Sequence, residues 1–156
     1  GKVGTMGAVA DAALKAGGDV IGVIPDRLQA LEVGHDDLTE LYVVDSMSSR
    51  KTMMIHLSDA FIALPGGFGT LEEFSETVSL AVLNYNDKPT GLLNTLGFYD
   101  KLLGFLETAE HEGFIRPGQS QALVHSKDID DLVDILAEVR IPGIAEWLPG
   151  LQKETS

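Results

Sequence analysis

Continuous apolar runs alternate with helically spaced ones along the 156 residues of the chain. Residues 6–16 place Ala8, Val9, Ala12, Ala13 and Leu14 at helical spacing, and Gly17-Gly18 ends the segment. Val20-Ile21-Gly22-Val23-Ile24 is an unbroken apolar run that predicts a buried strand, closed by Pro25. Residues 26–39 are polar and irregular, which predicts a short helix over 28–31 and then an exposed loop. A strand follows over 40–44, then a helix over 47–57 with Asp45 or Ser46 as its cap. The next pair is a strand over 60–64 and a helix over 70–83, on which Leu71, Phe74, Val78 and Val82 recur. After the turn cluster 84–87 come a strand over 89–93, a loop over 94–98 and a helix over 99–112. Gly113 caps that helix and Pro117-Gly118 turns the chain. A short strand over 122–125 precedes a last helix, capped by Ser126 or Asp128, that runs through Leu132, Leu136 and Val139.

This alternation predicts the α/β class, with a doubly wound, mostly parallel, Rossmann-like sheet. Residues 1–141 form one domain in this reading, and 142–156, with the only tryptophan (Trp147), an arm or tail. The chain opens inside a glycine-rich turn, Gly1-Lys2-Val3-Gly4, where a parallel sheet wants a strand. The expectation is therefore that one or more N-terminal strands are missing from it. Right-handed crossovers put each strand-to-helix turn at the carboxyl edge, where such sheets bind ligands. Four segments are expected on that rim: 4–7, 45–51, 65–73 and 94–99.

The segment with most chemical content is Pro65-Gly66-Gly67-Phe68-Gly69-Thr70-Leu71-Glu72-Glu73. Pro65 cannot donate to a ladder and so ends the preceding strand. Three glycines in four positions allow close backbone approach, and the helix start beyond them offers free N–H groups to an anion. A tight strand-to-helix turn with no ligand reads the same way. Thr70 and the neighbouring carboxylates Glu72 and Glu73 favour a site with chemistry beside the anion. The two glutamates point about 100° apart, so one of them enters such a site and the other faces solvent.

Arg50 and Lys51 fall in the first turns of the helix after strand 40–44, where the dipole disfavours cations. An anion or carboxylate partner answers that placement, with Glu73 as one candidate; a plain surface Arg-Lys pair is the alternative. The methionines 6, 47, 53 and 54 suit a core, although Met6 and Met47 lie near the rim. Asn94 and Tyr99 are further candidate polar contacts. Histidines 35, 56, 111 and 125 share no metal-ligand spacing, so no metal is expected. The loop lacks the Lys-Ser/Thr of a Walker motif, and the chain has no Gly-x-Ser-x-Gly elbow.

Composition narrows the class further. With 24 acidic and 11 basic residues the net charge is −13, which opposes nucleic acid and anionic membranes as partners. The absence of cysteine excludes disulfides and thiolate metal sites, and a cytoplasmic address is expected. No apolar run is long enough to span a bilayer.

The loop resembles the PGGxGTxxE signature of the LONELY GUY (LOG) family of cytokinin riboside 5′-monophosphate phosphoribohydrolases, often labelled lysine decarboxylase-like. Asp45-Ser46-Met47-x-x-Arg50-Lys51 is similar to the family's second motif, and Val3-Gly4-x-Met6-Gly7-Ala8 to its glycine-to-helix segment. Lys88-Pro89, Gly97-Phe98-Tyr99-Asp100 and Glu112-Gly113-Phe114-Ile115 also fit in order, so the resemblance covers nearly the whole chain. Leu83-Asn84-Tyr85-Asn86 departs from a Leu-Gly-Ile-His-like segment of many members.

The resemblance implies Arg50 and Glu73 as a catalytic pair. It also implies that Gly66, Gly67, Gly69 and Thr70 hold a 5′-phosphate, with Met47 and Lys51 of the second motif in the substrate-binding set. The implied reaction is hydrolysis of the N-glycosidic bond of an N6-modified or plain adenosine 5′-monophosphate, without metal or redox cofactor, by a homodimer. Lysine decarboxylation needs a Schiff-base lysine for pyridoxal phosphate, and no residue context identifies one. The competing reading is a non-catalytic nucleotide or cofactor carrier, which needs the glycine loop but not the carboxylate.

Overall fold

The computed structural model describes residues 4–30, 37–116 and 119–141. Leu31 of the expected short helix, the Pro117-Gly118 turn and the 142–156 tail lie outside the described residues. The chain divides into two compact units, Gly1–Ser58 and Asp59–Ser156. Every pair of strands among the described residues is parallel and helices flank them, as the α/β, Rossmann-like reading expects.

The first unit runs α1 (Thr5–Lys15), β1 (Ile21–Pro25), α2 (Asp26–Gln29), β2 (Glu40–Val44) and α3 (Met47–Leu57). Helix α1 stops where the glycines stand. Gly17 takes φ +82°, and the Gly17 and Gly18 N–H groups bond back to the Leu14 and Ala13 carbonyls at 2.9 Å each. Strands β1 and β2 pair in register Ile21↔Glu40 to Pro25↔Val44. Burial of β1 is less than its apolar run predicts: Ile24 and Pro25 are buried but Ile21 is exposed, and in β2 Leu41, Tyr42 and Val43 are exposed. A two-stranded ribbon covered along only part of its length leaves such side chains at the surface.

The second unit runs β3 (Phe61–Ala63), α4 (Phe68–Val82), β4 (Thr90–Leu93), a 3-10 turn (Thr95–Gly97), α5 (Asp100–His111), a second 3-10 turn (Gln119–Ala122), β5 (Leu123–Ser126) and α6 (Ile129–Glu138). The strands lie in chain order β3-β4-β5, with Ala63 opposite Leu92 and Leu93 opposite Ser126. Central strand β4 is the most buried, and its alternating side chains meet different layers. Leu92 packs with Phe74 and Tyr99, supported by Ala63, Leu71, Leu102 and Leu103. On its other face a Cβ at Gly91 would stand 3.0–3.3 Å from Leu132 and Leu136, so α6 sits directly on the backbone there. Helix α6 is capped by Asp128, not Ser126: the Asp128 carboxylate accepts from the Asp131 N–H at 3.0 Å.

One polar atom of this core is left over. The Thr90 hydroxyl is buried with no hydrogen-bond partner among the described residues, a costly state for a donor and acceptor removed from water. Thr90→Val keeps the shape and removes the hydroxyl, and it is expected to stabilise the protein by about 1 kcal/mol. The reading is a higher urea midpoint at unchanged slope; a lower midpoint contradicts it.

Candidate functional site

Strand β3 ends at Ala63, and after three intervening residues Gly67 becomes the N-cap of α4. The helix begins at Phe68, two residues earlier than its apolar spacing predicts, because the ladder starts with the Leu71 N–H bonding to the Gly67 carbonyl at 3.1 Å. The N–H groups of Phe68, Gly69 and Thr70 therefore precede the first intrahelical bond and are free for an anion. The earlier start also places Glu72 and Glu73 in the second turn, and the first turn carries no acidic residue.

The glycines divide the loop into a closed and an open side. A Cβ on Gly66 would lie 2.1 Å from the Thr70 hydroxyl, so only glycine lets Thr70 fold back over the loop. At Gly67 and Gly69 a Cβ would meet nothing within 4 Å among the described residues outside the adjoining backbone. Space stands open there for a ligand to approach the backbone. Beside it Phe68 is 93% exposed, and Leu96 on the next strand-to-helix connection is 99% exposed.

Glu73 follows Thr70 by three positions and Gly69 by four, so the three share a helix face. Side chains on a helix lean toward its N-terminus, which aims the Glu73 carboxylate back at the loop. Glu73 is half-buried and Glu72 exposed. That difference separates two residues left equivalent by their sequence positions.

Asn94 and Tyr99 follow β4, the neighbour of β3, and both are buried. The Asn94 N–H bonds to the Ser126 carbonyl at 2.7 Å. Its side-chain oxygen accepts from the Tyr99 N–H at 2.7 Å, and its amide donates to Asp100 at 2.8 Å. The Tyr99 phenol donates to the Leu64 carbonyl at 2.5 Å. Burial raises the phenol above the ordinary tyrosine value, which keeps it a donor through neutral pH. Neither residue is placed as a substrate contact. Both are tied into the loop's own framework.

In the first unit, α3 carries the second set of candidates. Ser46 is its N-cap, accepting from the Ser49 N–H at 3.1 Å. The Ser49 hydroxyl in turn donates to Asp45 at 2.6 Å. The Ser49 and Ser46 hydroxyls together hold the Asp45 carboxyl below the usual carboxylate range. Arg50 sits in the first turn, its N–H bonded to the Ser46 carbonyl at 3.0 Å. Its side-chain Nε is buried with no hydrogen-bond partner among the described residues. A guanidinium donor left unmatched at the positive end of a helix is an acceptor site in waiting. Met47 is exposed and Lys51 half-buried.

Ser46 is the cap, as one of the two residues expected; Ser49, whose N–H and hydroxyl engage Ser46 and Asp45, was not a candidate from sequence. Among the described residues no three His, Asp or Glu side chains gather as a metal site, and no helix is long and apolar enough to cross a membrane. A groove of about 560 Å³ in the second unit is lined by Phe74, Val78, Val82, Leu103, Leu106 and Leu123 among others; no residue of 65–73 lines it.

The chain matches, over residues 6–136, the family model described as "Possible lysine decarboxylase". It is 46% identical over 142 residues to the cytokinin riboside 5′-monophosphate phosphoribohydrolase of Rhodococcoides fascians, covering 90% of this chain and 70% of that protein. An Arabidopsis thaliana protein of the same name is 44% identical over 136 residues, covering 87% of this chain and 60% of the relative. A rice (Oryza sativa subsp. japonica) protein named as a probable enzyme of this kind is 47% identical over 138 residues, at 88% and 61%. Across such curated relatives the chain spans from 56% to 73% of their length. With the PGGxGTxxE loop at 65–73 and a family match over most of its length, the chain belongs to the LOG (lysine decarboxylase-like) family.

Proposed function

We propose that the protein hydrolyses the N-glycosidic bond of an adenosine 5′-monophosphate, plain or N6-modified, to the free base and ribose 5-phosphate. The observation that carries this reading is the loop: free helix N–H groups, open space at Gly67 and Gly69, and a half-buried Glu73 on the face of Thr70. The names of the relatives, which state the same reaction of those proteins, support it.

In this reading Gly66, Gly67, Gly69 and Thr70 hold the 5′-phosphate, which fixes the remote end of the nucleotide and positions the reacting carbon. Cleavage leaves the ribose C1 oxocarbenium-like, with electrons passing to the leaving base. The Glu73 carboxylate stabilises that cation or takes a proton from the attacking water. Arg50, whose Nε has no acceptor among the described residues, hydrogen-bonds substrate or offsets charge on the departing base. Met47 and Lys51 complete the substrate-binding set. The reading treats 1–141 as one nucleotide-binding domain, in a cytoplasmic homodimer.

A carrier needs the same loop but no carboxylate on its face. Incubating the full-length protein with AMP and with N6-isopentenyl-AMP separates the two readings, and free base from at least one of them is expected. Thermal stabilisation by both nucleotides with no base released from either favours the carrier.

A further inference from the structure

We propose that Tyr99 is a positioning residue for the phosphate loop, and that its hydroxyl sets the directions of the backbone groups that receive the 5′-phosphate. The inference rests on the nucleotide reading of that loop. Leu64 and Gly66 flank Pro65, and Pro65 has no N–H with which to anchor itself. The phenol reaches the first of these flanks, donating to the Leu64 carbonyl. The orientation of Gly66 governs the rest of the loop, because Thr70 stands so close over it that no side chain fits between them.

Tyr99 is itself held from three directions. Its ring is buried against Phe74 and Leu92, with Phe98 edge-on at 4.9 Å between centroids. Its N–H is received by the Asn94 side chain, and the Asn94 N–H is fixed on strand β5 through Ser126. The turn that brings Tyr99 into line passes through Leu96 at φ +52° and Gly97 at φ +74°. A Cβ at Gly97 would strike the Asp100 carboxylate, which accepts from Asn94. A continuous polar chain therefore runs from the β5 backbone through Asn94 and Tyr99 to the loop. Buried networks of this kind, when every member is satisfied, give rigidity and a single geometry. A preorganised anion loop depends on that property.

Tyr99→Phe keeps the ring and its packing and removes only the hydroxyl. In the full-length protein the dissociation constant for ribose 5-phosphate and the KM for AMP are expected to rise together by about tenfold. Adenosine binding is expected to stay at the wild-type level. Unchanged ribose 5-phosphate affinity overturns the inference. So does an equal loss for adenosine, which marks a general loosening of the fold. Ribose 5-phosphate binding does not depend on turnover. A wild-type protein that binds it but releases no base defeats the hydrolase reading alone, and the variant still tests Tyr99. A wild type that binds neither AMP nor ribose 5-phosphate defeats both.

Discussion

Glu73→Gln is expected to abolish base release while AMP still binds, with kcat lower by about a thousandfold. The substitution is nearly isosteric, so the half-buried position of the side chain on α4 is preserved. What is lost is the negative charge that opposes the developing ribose cation, and the capacity to accept a proton from water. Binding should survive, because in the proposed reading the phosphate is received by backbone N–H groups and Thr70, none of which the change touches. Glu72→Gln is the matched control: Glu72 is exposed, and its loss leaves kcat near wild type. Turnover retained in Glu73→Gln, or lost in Glu72→Gln instead, removes Glu73 from the catalytic role.

Gly66→Ala carries the second large effect. A methyl there meets the Thr70 hydroxyl at 2.1 Å and its Cβ at 2.8 Å, far inside contact distance. Either Thr70 swings away or the loop shifts, and displacements of about an ångström at a positioning group cost about a hundredfold. AMP affinity is expected to fall by about that factor, measured by titration calorimetry, together with a lower melting temperature. Gly67→Ala offers a contrast, since its methyl meets no atom within 4 Å among the described residues beyond its chain neighbours. Stability without ligand should be unchanged there, while a bound phosphate would collide with the methyl. Equal AMP affinity in Gly67→Ala and wild type would place the anion elsewhere.

The alternation of strands and helices was legible because period and run length report it directly, and α1, β2 and α3 fall within a residue of their predicted bounds. The start of α4 was not. Gly67-Phe68-Gly69 argues against helix by propensity, yet the backbone ladder opens at Gly67 because glycine there costs little at a cap and the turn leaves β3 early. Burial of β1 was overread for a different reason. A run of apolar residues states that a strand prefers cover, not which element provides it.

The loop as a candidate anion site, and Arg50 and Glu73 as candidate catalytic residues, could be proposed from residue types and from family resemblance. The choice between Glu72 and Glu73 acquired a physical basis only with their burial. Tyr99 had no local signal for its role, since its hydroxyl reaches Leu64 across 35 positions of the chain. Ser49 was passed over because its hydroxyl acts on a cap already credited to Asp45 or Ser46.

The central claim is that the phosphate held by the 65–70 loop enables cleavage at the other end of the ribose. Its most direct test gives the full-length protein N6-isopentenyl-AMP in one reaction and N6-isopentenyladenosine in another, and quantifies free base and ribose 5-phosphate. The account predicts base and ribose 5-phosphate in equal amounts from the nucleotide, and no base from the nucleoside. Base released equally fast from both, or from neither, contradicts it.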